Sequence, residues 1–205
     1  MKKLLLSLLS LTLVGCTYDT MLISETKESE EPIEETSEAE TETTTSNILV
    51  TYYSGTGNTK EVADYIATTL EADTFVITPI QEYTSDDLNY NDDTSRVIQE
   101  HNDTSLQEVE LAQITPDQWD AYDTVFVGYP IWWGEASWVV TSFVKQNDFS
   151  NKKVIPFCTS VSSPLADSAT NLASVAGSGE WDEGMRFSSN FDESAVRDWL
   201  HTLGY

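Results

Sequence analysis

The segment Ser54-Gly55-Thr56-Gly57-Asn58-Thr59-Lys60 sets three hydroxyl side chains and two glycines within seven residues. Placed at the start of a helix, such a turn is an anion site, because unpaired backbone N–H groups point outward and the helix dipole adds partial positive charge. A phosphate ester suits that chemistry, and the spacing excludes two common phosphate loops. A G-x-G-x-x-G dinucleotide fingerprint would need glycine where Lys60 stands, and no G-x-x-x-x-G-K-[ST] triphosphate loop occurs.

Two further stretches carry candidate binding residues. In Gly128-Tyr129-Pro130-Ile131-Trp132-Trp133-Gly134-Glu135-Ala136, adjacent tryptophans in a loop cannot both face a core, so at least one presents its indole to a flat, polarisable ligand or a partner. In Cys158-Thr159-Ser160-Val161-Ser162-Ser163-Pro164, hydroxyls and exposed backbone suit hydrogen bonding to a polar ring edge. Cys158 has no sequence-adjacent base and ends an apolar run, so it reads as structural. The two histidines, His101 and His201, lack partners at metal-ligand spacing and read as surface residues. Acid pairs such as Asp86-Asp87 and Asp92-Asp93 do not have the spacing of a calcium loop.

The elements that must position these residues follow from periodicity. Asn47 to Tyr53 is an uncharged β-rich run, as in a strand buried on both faces of a parallel sheet. Val62, Ile66 and Leu70 then recur every fourth position, which marks an amphipathic helix. Further strands are expected at 74–77, 124–128 and 154–158, with a short fifth at Met185-Arg186-Phe187. Helical patterns lie around 139–144 and 172–176, and a last helix runs from about Glu193 to Leu203 with Gly204 placed to end it. Residues 83–118 are polar and acidic, and are expected to hold a second helix with long loops. Alternating strands and helices predict an α/β three-layer sandwich with a largely parallel sheet.

The first 46 residues read differently. Lys2 and Lys3 precede eleven apolar or small hydroxyl residues, Leu4 to Val14, a run too short to span a bilayer, which takes about 20. The order of charge, apolar run and small-residue cleavage site is that of a signal peptide. Leu13-Val14-Gly15-Cys16 is similar to the lipobox of bacterial lipoproteins, implying removal of residues 1–15 and lipidation of Cys16. Residues 16–46 then form an acidic tether rich in Glu, Thr and Ser, unable to bury a core. Residues 47–205 form the folded domain. This places the protein on the extracytoplasmic side of a bacterial cell membrane, held by lipid rather than by a spanning helix.

The 205 residues carry 35 acidic and 10 basic side chains, a formal charge of −25, which excludes nucleic-acid binding through a basic surface. Ten of the acids and three lysines precede Asn47, so the domain keeps a net −18.

Tyr52-Tyr53-Ser54-Gly55-Thr56-Gly57-Asn58-Thr59-Lys60-Glu61-Val62-Ala63-Asp64-Tyr65-Ile66 resembles the signature of the flavodoxin family. The resemblance implies a flavodoxin-like doubly wound sheet of five strands in the order 2-1-3-4-5 and flavin mononucleotide (FMN) as cofactor. Ser54, Thr56 and Thr59 would donate hydroxyls to the FMN phosphate, and Gly55, Gly57 and Asn58 backbone N–H groups. Pro130, Ile131, Trp132, Trp133 and Gly134 would shape the ring pocket with Trp132 at the ring, while Thr159 and Ser160 would serve its pyrimidine edge. Thr51 departs from the family, which usually has a larger apolar or aromatic residue there. The first expectation is therefore a membrane-tethered FMN-binding electron-transfer protein with no catalytic side chains of its own. Its partners would be a basic redox protein or a small acceptor. An FMN-dependent NAD(P)H:acceptor oxidoreductase and a flavin-free binding lipoprotein are the alternatives.

Overall fold

The computed structural model describes residues 47–205. The expected signal peptide, Cys16 and the tether lie outside the described residues. In chain order the elements are β1 (Ile48–Tyr52), α1 (Asn58–Leu70), β2 (Asp73–Val76), α2 (Arg96–Asn102), β3 (Thr124–Trp132), β4 (Glu135–Ala136), α3 (Trp138–Gln146), β5 (Lys153–Ser160), α4 (Ser168–Ala176), β6 (Glu180–Trp181), β7 (Met185–Ser188) and α5 (Glu193–Leu203). Single 3-10 turns stand at Thr104–Leu106 and Trp119–Ala121.

The sheet runs β2-β1-β3-β5, with β6 and β7 sharing the outer position beside β5, and these pairings are all parallel. This is the doubly wound α/β sandwich, with two corrections to the expected five strands. The fifth position is split in two: Gly184, at φ +80°, would set a Cβ 2.6 Å from the Pro156 carbonyl oxygen. Pro156 offers no N–H to a neighbour, and the outer edge breaks beside it. The second addition is β4, an antiparallel return against the end of β3.

Both faces of the sheet are covered because side chains alternate along each strand. Leu49, Val125, Val127, Val154 and Cys158 pack in one core with residues of α3 and α4, such as Val140, Phe143 and Leu172. Val50, Phe126, Ile155 and Phe157 pack in the other with Val62 and Ile66 of α1 and Val196 and Trp199 of α5. The two cores do not mix, so the loops at the carboxyl ends of β1, β3 and β5 are held at fixed spacing. Gly128 is required within this frame: a Cβ there would lie 2.3 Å from the Phe157 ring.

Candidate functional site

The turn after β1 is built on Gly57, which caps α1 at φ +96°, a conformation open to glycine without strain. The Gly57 N–H donates to Ser54 Oγ at 3.1 Å, and Asn58 Nδ2 donates to Thr56 Oγ1 at 3.1 Å. The first bond of the α1 ladder runs from the Glu61 N–H to the Gly57 carbonyl. The N–H groups of Asn58, Thr59 and Lys60 therefore precede the ladder and point out of the helix end, where an anion is favoured. Thr59 is buried and its Oγ1 lies 2.8 Å from Thr159 Oγ1 at the end of β5. Its hydroxyl joins the first turn of α1 to the end of β5, and Thr59 does not line the cleft.

The aromatic stretch is a hairpin and not an open loop. β3 continues to Trp132, pairs Trp132 with Glu135 and Ile131 with Ala136, and turns through Trp133 and Gly134. Both turn residues have positive φ, +49° and +84°, as a two-residue hairpin turn of type I′ demands. Trp132 is half-buried, edge-on to Tyr53, Tyr83 and Trp138 at centroid distances of 5.9, 5.4 and 4.7 Å. Trp133 is 42% exposed and stacks on His101 at 4.1 Å. His101 is at the surface, as expected, and covers one face of the exposed indole.

These loops enclose a cleft of about 410 Å³. Gly55, Thr56 and Asn58 form one side, Pro130, Ile131, Trp132 and Trp133 a second, and Thr159, Ser160 and Val161 a third. Ser54, Gly57, Thr59 and Gly134 shape the turns but do not line it. Three lining residues, Leu88, Tyr90 and Val97, come from the polar 83–118 segment, expected to hold a helix with long loops and assigned no site residue, in which α2 stands. Leu88 lies over the phosphate-type turn, 2.8 Å from where a Cβ on Gly55 would stand. Ser160 is held from outside: Arg186 Nε donates to its Oγ at 2.9 Å and Arg186 Nη2 to its carbonyl at 2.8 Å. Arg186 is a positioning residue that no sequence signal marked.

Electrostatically the cleft is nearly blank. Tyr90 is the one titratable side chain lining it among the described residues, and no carboxylate, ammonium, imidazole or thiol does so. Lys60 points away, bonded to Asp64 on the exposed face of α1. Cys158 is buried, and burial pushes its thiol up to about 12, so it is no nucleophile. A second, polar hollow of about 580 Å³ lies at the opposite end of the sheet around Lys152. There the ammonium is committed to the Trp119 and Tyr122 carbonyls, at 2.8 and 2.5 Å.

A flavodoxin family model matches residues 47–203. The chain belongs to the flavodoxin family. Among solved structures, the flavodoxin domain is similar to a candidate flavoprotein from Bacteroides eggerthii, with 34% identity, 77% of this chain and 98% of that chain covered, and a TM-score of 0.68. A candidate flavoprotein from Bacteroides uniformis matches at 30% identity, covering 76% of this chain and 98% of its own, with a TM-score of 0.69. A flavoprotein from Lactobacillus acidophilus, solved in complex with FMN, shares the flavodoxin fold at 19% identity, 75% and 97% coverage and a TM-score of 0.55. A search of curated proteins gave no match. In flavodoxin terms the cleft lies where the chain reverses direction across the sheet, between β1 and β3, the usual ligand position in open α/β sheets.

Proposed function

We propose that this chain is an FMN-binding electron-transfer protein, held at the outer face of a bacterial cell membrane by lipid on Cys16. The observation that carries the reading is the pairing of an open helix N-terminus with an uncharged aromatic cleft. FMN supplies one- and two-electron redox chemistry when bound. The protein's task is then to hold, orient and shield, since among the described residues no carboxylate, ammonium, imidazole or thiol lines the cleft.

The N–H groups of Asn58, Thr59 and Lys60, with the Thr56 hydroxyl, would take the phosphate without a cation. Trp132 and Trp133 would flank the ring, and Thr159, Ser160 and the Val161 backbone would bond its polar edge. With no cation lining the cleft among the described residues and a net −18 on the domain, a reduced, anionic flavin would be disfavoured and its potential held low. The same acidity favours a basic redox partner. Lipidation of Cys16, with residues 16–46 as spacer, would keep the domain near membrane-bound partners.

The full chain purified in detergent is expected to be yellow, or to become so on adding FMN, with flavin fluorescence quenched at one equivalent. A colourless protein that FMN cannot reconstitute overturns the reading. Sustained NAD(P)H oxidation by the loaded protein alone would make it a reductase instead of a carrier. Replacing Cys16→Ser should move the protein from the membrane to the soluble fraction, and continued membrane retention would remove the lipid anchor.

A further inference from the structure

Helix α2 lies in the polar segment that sequence patterning left without a role, and three of its residues converge on the tryptophan hairpin. Val97 lines the cleft directly. Glu100 is only 4% exposed, yet it is a carboxylate with every bond directed at the wall of the cleft or its supports. Its Oε1 accepts from Arg96 Nε at 2.6 Å, and its Oε2 accepts from the Tyr83 hydroxyl at 2.7 Å and from Trp138 Nε1 at 2.6 Å. Tyr83 and Trp138 are two of the three aromatic rings packed edge-on against Trp132. The Arg96 guanidinium also covers the Tyr83 ring, 3.8 Å from its centroid. The next residue, His101, stacks on Trp133 with planes 8° apart.

We infer that α2 is a brace for the tryptophan wall, with Glu100 and His101 as positioning residues for Trp132 and Trp133. A buried carboxylate is costly unless its oxygens are hydrogen-bonded, and both oxygens of this one accept bonds, from two aromatic donors and one cation. The Arg96 pair lies within α2 and ties Glu100 to no other element. The bonds to Tyr83 and Trp138 instead fix the tilt of the rings on which Trp132 rests. Trp133 stands on a two-residue turn, and its indole is oriented by stacking on the His101 imidazole at 4.1 Å and on the Trp138 indole at 5.9 Å. The consequence for flavin affinity and potential rests on the FMN reading above; the bracing itself does not.

The test compares full-length wild type with Glu100→Gln, Tyr83→Phe, His101→Ala and Tyr129→Phe. Gln keeps the length of Glu but turns an amide N–H₂ toward donors, leaving at least one of them unpaired. FMN affinity is expected to fall about tenfold in Glu100→Gln and a few-fold in Tyr83→Phe, with an altered visible flavin circular dichroism band and a shifted midpoint potential. Tyr129→Phe breaks a buried bond to Ser168 away from the cleft, so it should leave FMN affinity within about twofold of wild type. In flavin-free protein the Trp138 indole N–H resonance should move on Glu100→Gln, and iodide should quench Trp133 fluorescence more in His101→Ala. Unchanged FMN affinity and flavin dichroism in folded Glu100→Gln and Tyr83→Phe overturn the inference, as does an equal loss in Tyr129→Phe. Should Glu100→Gln fail to fold, Tyr83→Phe decides. If wild type binds no FMN, the functional reading fails, while the indole resonance and quenching still decide whether α2 braces the wall.

Discussion

Thr59 and Thr159 stand one hundred positions apart and share one buried hydrogen bond, 2.8 Å between their hydroxyl oxygens. It ties the first turn of α1 to the end of β5 and so fixes the distance between the phosphate-type turn and the third wall of the cleft. Replacing either residue by valine strands the other hydroxyl in the interior, at a cost of roughly 1–3 kcal/mol. The double variant removes both polar groups and should recover much of that loss. A double-mutant cycle by urea unfolding should give a coupling of about 1 kcal/mol, and additive effects would contradict the pairing. Both single variants should also weaken FMN.

Thr51 offers the opposite case. It is fully buried in β1, and its hydroxyl has no partner among the described residues. A shape-matched apolar side chain should therefore be better. Thr51→Val is expected to raise stability by about 1 kcal/mol, read as a higher urea midpoint with unchanged slope, and to leave FMN affinity alone.

The two tryptophans should separate stability from binding. Trp132→Ala removes a ring packed against Tyr53, Tyr83 and Trp138 and should cost roughly 3 kcal/mol, the low end for a large aromatic. Trp133→Asn puts a residue tolerant of positive φ into the turn, and should stay within about 1 kcal/mol of wild type. Both should weaken FMN, which titration by flavin fluorescence would show.

Titration sets the alkaline limit of the fold. Burial raises the hydroxyls of Tyr53, Tyr83 and Tyr129, and the bond to Glu100 raises Tyr83 further. A folded-state value above the unfolded one means stability that is complete below pH 10 and lost as pH climbs past it. The urea midpoint should hold up to about pH 9 and fall from about pH 10 upward. On the acid side, Asp87 is held low by Thr84 and Asp192 by the Ser194 N–H at the start of α5. Their contributions are complete above the ordinary carboxylate range and are lost as pH falls below it toward the lowered folded-state values.

Salt distinguishes the two kinds of recognition proposed for this protein. Neutral donors would hold the phosphate, so FMN affinity should change less than threefold between roughly 0.05 and 0.5 M salt. Electron transfer to a basic partner should slow markedly over the same range, because its steering depends on charges screened within about 10 Å at 0.1 M. Stopped-flow traces would show both.

Much of this architecture is legible in the chain. The uncharged 47–53 run and the four-residue spacing of Val62, Ile66 and Leu70 read directly as β1 and α1, because burial on both faces and on one stripe leaves those patterns. The other four sheet positions are legible as short β-rich runs, and their order comes from the resemblance to flavodoxins. The hairpin at Trp133-Gly134 could not, since tryptophan in a positive-φ turn position gives no Asn-Gly or Asp-Gly signal. α2 has only seven residues, too few for a period, and its value lies in contacts made across the fold. Leu88, Tyr90 and Val97 entered the cleft unannounced for that reason. β6, two residues long, carries no pattern at all.

The split outer edge has a consequence beyond topology. An unbroken strand beside β5 would present a continuous row of N–H and C=O groups to any neighbouring copy. On a membrane, where lipid-anchored copies would be concentrated in two dimensions, that row would be a template for sheet-to-sheet growth. Here Glu180–Trp181 and Met185–Ser188 are short pieces separated by Asp182, Glu183 and Gly184, two of them acidic. The interruption beside Pro156 thus leaves this edge without the long unpaired row that a second copy would need to extend the sheet.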